Sequence, residues 1–146
     1  MGKSASGKDH IYARLAAHEG LGLKKLVLYT TRPIRAEEEN GKQYYFVDDK
    51  KLEAFRSSGN LIEARAYHTV HGIWNYFTAD DGQVDLENAD YLGIGTLESY
   101  VKMREYYGKE NVCPVYIEVE DGERLARALK SCLLYTSDAA DEARSV

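Results

Sequence analysis

At 146 residues the chain is one domain at most, yet long enough to bury a core of its own. Its 44% apolar and 29% charged residues describe an ordinary soluble composition, and a net charge of −5 argues against general attraction to nucleic acid or anionic membrane. Cys113 and Cys132 make no disulfide framework or zinc spacing, which suits a reducing cytoplasm, and no apolar run approaches the ~20 residues of a membrane span.

The first stretch, MGKSASGKD, carries Gly2, Gly7 and Lys8 at the spacing G-x-x-x-x-G-K. Glycines that tolerate positive φ would let Gly2, Lys3, Ser4, Ala5, Ser6 and Gly7 fold into a cup of inward-pointing N–H groups. Lys8 adds a point charge, and the helix that follows aims its positive end at the same place. Such a loop can cradle the phosphates of a ligand. A plain Gly/Ser-rich tail is the competing reading. Asp9 stands where the pattern carries Ser or Thr; a carboxylate is a hard ligand for Mg²⁺, so Asp9 is the candidate metal residue.

In chain order, Asp9 to His18 reads as a helix closed by Gly20 and Gly22, and KKLVLYT (Lys24 to Thr30) as one buried strand. TRPIRAEEENGK is a polar loop, QYYFV a short strand, and DDKKLEAFRSSG a capped helix presenting Leu52 and Phe55. NLIEARAYHTV and IWNYFT pair as antiparallel strands across His71-Gly72; ADYLGIG reads as a strand, Thr96 to Tyr107 as a helix, VCPVYIEVE as a last strand and Asp121 to Lys130 as a last helix. Helix and strand alternating after a phosphate loop predict an α/β fold: a P-loop NTPase-type parallel sheet flanked by helices, with a small antiparallel insertion.

Arg32 and Arg35 in YTTRPIR, with Tyr44 in NGKQYYF, supply two guanidinium forks and a phenol suited to a terminal phosphate monoester. A solvated loop whose basic residues answer Glu37, Glu38 and Glu39 is equally open. Glu63 sits among apolar residues, and strand alternation puts it on one face with Leu61. Tyr76 and Thr78 share a face of the next strand.

Taken together, G-x-x-x-x-G-K, T-T-R-x-x-R, N-G-x-x-Y-x-F-V, I-E and Y-x-T resemble guanylate kinase, from Gly2 to about Thr78 and weakly on to Lys130. The resemblance implies transfer of the ATP γ-phosphoryl group to GMP with Mg²⁺, the loop and Lys8 holding ATP. By it, Arg32, Arg35, Tyr44 and Tyr76 would grip the GMP phosphate, Arg32 and Arg35 also serving catalysis. Glu63 would accept from the guanine ring N–H and amine, with Thr78 near the carbonyl. A carboxylate suits guanine's adjacent donors and disfavours adenine. GMP is then the partner expected, with no nucleic acid and no membrane. The alternatives are a guanylate-kinase-like binding module without catalysis, and a kinase for another nucleoside monophosphate.

Three departures bear on activity. Asp9 is one. Gly93 and Gly95 stand where the resemblance expects acidic residues, with Thr96 or Glu98 as possible substitutes, and Leu28 stands where it expects Ser. An arginine-bearing lid would follow Lys130, with Arg124 and Arg127 on the helix before it. There the chain reads CLLYTSDAADE, which resembles a translated sequencing adapter. The expected domain is therefore 1–131, with 132–146 not native, and with a first strand expected ahead of Met1. The chain as given is expected to be poorly stable or catalytically silent.

Overall fold

The computed structural model describes residues 1–134, and of 132–134 the backbone alone. The chain runs α1 (Lys8–Ala16), a 3-10 turn (Glu19–Leu21), β1 (Lys24–Lys25), β2 (Leu28–Thr30) and β3 (Tyr44–Phe46). It continues through α2 (Asp49–Ser58), β4 (Leu61–Thr69), β5 (Gly72–Ala79), β6 (Tyr91–Leu92), α3 (Leu97–Tyr107) and α4 (Asp121–Leu134). The fold is mixed α/β, with parallel pairing of β1 with β6 and of β2 with β3.

The dominant sheet has the order β3-β2-β5-β4, its β2–β5 and β4–β5 pairs antiparallel. The expected hairpin forms, with its turn at Val70-His71, one residue earlier than predicted. Its two faces are chemically different. One carries Tyr29, Phe77 and Ala79 against Leu52 and Phe55 of α2, forming the core. Phe77 is fully buried and stacks on Tyr29 at 5.1 Å. The helix that covers this face is fixed at both ends. Asp48 accepts from the Lys51 amide at 2.9 Å, and Gly59 closes the last turn at φ 77°, a conformation that glycine adopts without a Cβ penalty. The opposite face carries the polar residues Thr30, Glu63, Tyr76 and Thr78.

Three expectations are corrected. Lys24–Thr30 is not one strand. Gln83 donates to the Val27 carbonyl at 3.1 Å and accepts from the Val27 amide at 2.9 Å, taking those groups out of any ladder and passing the chain from one sheet to the other. The VCPVYIEVE segment is not a strand. Among the described residues its strand-type bonding reaches only Met1 and Gly2, through Val115 and Ile117, leaving the Val115 and Tyr116 side chains exposed. Finally, Leu61 and Glu63 do not share a face. The register slips between them, so Leu61 packs on the core while Glu63 meets Thr78 on the other side.

The last helix extends beyond Lys130 to Leu134. The remainder of the segment read as adapter-like, 135–146, lies outside the described residues.

Candidate functional site

The loop before α1 curls tightly. Ala5 has φ 58° and Gly7 φ 83°, so the positive-φ positions are Ala5 and Gly7 rather than Gly2 and Gly7. Gly2 is needed for another reason: a Cβ there would lie 2.6 Å from Ser6 Oγ and 3.0 Å from the Ile117 carbonyl. The Ser6 hydroxyl is buried with no hydrogen-bond partner among the described residues. Arg124 Nη1 donates to the Ser4 carbonyl at 3.1 Å and Arg127 Nη1 to the Ser6 carbonyl at 3.4 Å, so α4 braces the outside of the loop. Lys8 Nζ lies 3.6 Å from the Asp9 carboxylate, and Asp9 is mostly exposed. Lys3 is drawn outward to Asp121 at 3.8 Å.

The polar sheet face has two ends. At one, Arg32 is almost wholly buried and tied on every side. Its Nη2 and Nη1 reach the two Glu38 oxygens at 2.7 and 2.9 Å, Nη1 also donates to the Pro33 carbonyl, and Nε donates to the Tyr76 hydroxyl at 3.2 Å. The guanidinium lies over Phe46 and Tyr44 at 5.3 and 5.9 Å, and Tyr44 meets Tyr76 edge-on at 5.5 Å. Hydrogen bonding from Arg32 holds the Glu38 carboxyl below its usual range, against the opposing effect of burial. The same bond raises Arg32. Arg35 contributes its backbone amide to Glu38 at 2.9 Å, while its side chain points to solvent.

At the other end Glu63 is buried. Its Oε1 accepts from the Thr78 hydroxyl at 2.8 Å and from the Ser99 hydroxyl at 3.4 Å, and its Oε2 from Arg65 Nε at 3.1 Å. Ser99 arrives from the first turn of α3, which is capped by Thr96 at 3.2 Å. Gly95 permits that approach, since a Cβ there would come within 3.0 Å of Ser99 Oγ. A cavity of about 430 Å³ is lined by Lys8, Thr78, Gly95, Thr96 and Ser99 together with apolar side chains of α1, Ile11 and Leu15 among them.

The guanylate kinase family model matches residues 1–74, half of the chain. The chain belongs to the guanylate kinase family. A guanylate kinase from Anaplasma phagocytophilum is 29% identical over 132 residues, covering 86% of this chain and 59% of its own length. One from Neisseria gonorrhoeae is 36% identical over 88 residues, 60% of this chain and 40% of its own. The crystal structure of the Anaplasma guanylate kinase superposes with a TM-score of 0.60 at 28% identity, covering 91% of this chain and 66% of that one. The chain thus spans between about a third and three fifths of the length of the curated guanylate kinases it matches.

Within this guanylate kinase fold, the structure brings together Arg32, Tyr44 and Tyr76 at one end of the sheet face and Glu63 and Thr78 at the other. It does not bring the Arg35 side chain to them. Three residues were missed by reading the sequence: Glu38, Arg65 and Ser99. Glu38 stands among like neighbours, Glu37 and Glu39, and nothing local marks which one turns inward. Arg65 lies two residues beyond Glu63, which in a strand is the same-face signal that could have found it. Ser99 is distant in sequence and carried no signal.

Proposed function

We propose that this protein transfers the γ-phosphoryl group of ATP to GMP, giving ADP and GDP. The observation that carries the reading is the sheet face itself: a buried, acceptor-only carboxylate at Glu63 at one end and the Arg32–Tyr76–Tyr44 cluster at the other. Guanine offers a ring N–H and an exocyclic amine to a carboxylate, whereas adenine offers a lone pair at the ring position and is repelled. The phosphate of the acceptor meets the phenols of Tyr44 and Tyr76 and the remaining donor of Arg32, with the exposed side chain of Arg35 available to close on it.

At the donor end the loop amides of residues 3–7, the start of α1 and Lys8 bind the ATP phosphates. Among the described residues no cluster of three metal-ligating side chains occurs. Mg²⁺ characteristically takes one or two carboxylates together with substrate phosphates, and Asp9, exposed beside Lys8, fits that role. Bound there, the ion would neutralise charge on the outer phosphates. The chain's own contribution is placement: the loop holds the donor and the polar sheet face the acceptor, and a phosphate oxygen already anionic near neutral pH needs no strong base.

ADP release from ATP and Mg²⁺, measured with GMP, AMP or no acceptor, tests this directly. GMP-dependent release is expected. A second reading, a GMP-binding module without catalysis, is favoured by the Lys8–Asp9 ion pair, which occupies the charge the phosphates would need. Selective GMP binding without ADP release would select it.

A further inference from the structure

Glu63 is already nearly saturated by its own protein. Oε1 accepts from Thr78 and Ser99, Oε2 accepts from Arg65 Nε at 3.1 Å, and Arg65 Nη2 stands 3.5 Å from Oε1. The two ion-paired side chains are only 3% and 13% exposed. A carboxylate offers about four acceptor positions, so roughly one remains uncommitted, on Oε2.

Guanine would bring two donors, its ring N–H and its exocyclic amine, side by side from one N–C–N unit. The Nε–H and Nη2–H of a guanidinium form the same kind of pair from the same kind of unit. We propose that Arg65 is a specificity-determining residue: it occupies the base-reading carboxylate as a built-in counterpart of guanine, and the base must displace it to bind. The inference rests on the reading of Glu63 as the guanine acceptor.

The consequence has a definite sign. Displacement exchanges a cation for a neutral base at a buried carboxylate, which costs free energy. A base that lacks the paired donors gains nothing from Glu63 and does not incur that cost. Arg65 therefore tempers the affinity for GMP while leaving that for AMP unchanged. It also explains how a carboxylate so deeply buried is tolerated between substrates, since an unpaired charge there would be costly. Arg65 lies directly across the β4–β5 ladder from Tyr76, so a displaced guanidinium would stay on the same face.

The test is calorimetric titration of this chain and of Arg65→Met with GMP, IMP and AMP, alongside thermal unfolding with and without GMP. Arg65→Met is expected to bind GMP roughly tenfold more tightly, IMP (a single donor on that edge) by a smaller factor, and AMP unchanged. Its unfolding temperature without ligand falls, and its GMP-induced rise exceeds that of the parent. Arg65→Lys, which keeps the charge but cannot present a fork, covers the case in which the Met variant fails to fold; it is expected to tighten GMP roughly threefold. Unchanged or weaker GMP binding in the folded variants, with Glu63→Gln still weakening GMP against AMP, overturns the proposal and leaves the Glu63 reading standing. A Glu63→Gln variant whose GMP-to-AMP preference is unaltered overturns the reading of Glu63, and the proposal with it.

Discussion

Glu38 holds Arg32 through both carboxylate oxygens, at 2.7 and 2.9 Å, while also accepting the Arg35 amide. A fork-to-fork pair of this kind sets the plane of the guanidinium. It thereby aims Arg32 Nε at the Tyr76 hydroxyl, 3.2 Å away. Glu38 is thus the residue that gives the Arg32–Tyr76–Tyr44 end of the polar sheet face its shape.

Replacing Glu38 with Gln leaves a buried guanidinium short of its counter-charge. A loss of about 3 kcal/mol in unfolding free energy is expected, measurable from urea midpoints. The pair also sets a pH dependence. The folded-state carboxyl lies below its ordinary value of 4.5, so the stabilisation is complete above that pH and drains away as the pH falls through the lower folded value. The parent should lose stability in that acid window by an increment that Glu38→Gln lacks. Parallel pH profiles would contradict the assignment.

Phe77 is the centre of the core, stacked on Tyr29 at 5.1 Å and edge-on to Phe55 at 6.1 Å. Phe77→Ala is expected to cost about 3–5 kcal/mol by leaving a cavity between sheet and α2. A cost below ~1 kcal/mol in thermal or urea unfolding would mean that this face is not the core.

Ala5 is the one non-glycine residue at positive φ among the described residues, at 58°. Ala5→Gly relieves that strain and is expected to stabilise the chain by about 1 kcal/mol, while Ala5→Val should destabilise it by more. Thermal unfolding of the two variants reads the ordering, and a more stable Val variant would show that the loop takes another conformation.

Asp9 gives a test whose sign depends on the metal. Without Mg²⁺ its charge opposes the ATP phosphates, so Asp9→Asn should bind ATP about two- to fivefold more tightly. If Asp9 serves as the metal ligand proposed above, saturating Mg²⁺ reverses the order. The same order under both conditions would remove Asp9 from the metal site.

Much of this was legible from local chemistry. The Gly2–Lys8 spacing located the loop, Asp48 and Gly59 bounded α2, and alternation in IWNYFT put Tyr76 and Thr78 on one face. What escaped was decided at a distance. The break at Val27 depends on a side chain from Gln83. The slip between Leu61 and Glu63 cancels the period-two rule at the one position where it mattered most. The VCPVYIEVE segment has the composition of a strand, but a ladder belongs to a pair, and among the described residues only Met1 and Gly2 pair with it. The sequence leaves open which of Glu37, Glu38 and Glu39 answers the basic residues of the loop, and composition cannot reveal that Glu38 is the one that folds back on Arg32.

Helix α1 buries none of its residues. Its apolar side, Ile11, Tyr12 and Leu15, faces the cavity of about 430 Å³ rather than a packed neighbour. A segment with so few dispersion contacts is held mainly by its own backbone bonds and by α4 at the loop. The molecule should then behave as two cooperative units of unequal strength. Amide hydrogens of α1 would exchange by a local opening well below the global unfolding free energy, while those of β2, β4 and β5 exchange only with it. The glycine loop and α1 would be soft, and the four-stranded sheet with α2 rigid. On that footing, a ligand seated on the loop would slow exchange in α1 and leave that of the sheet unchanged.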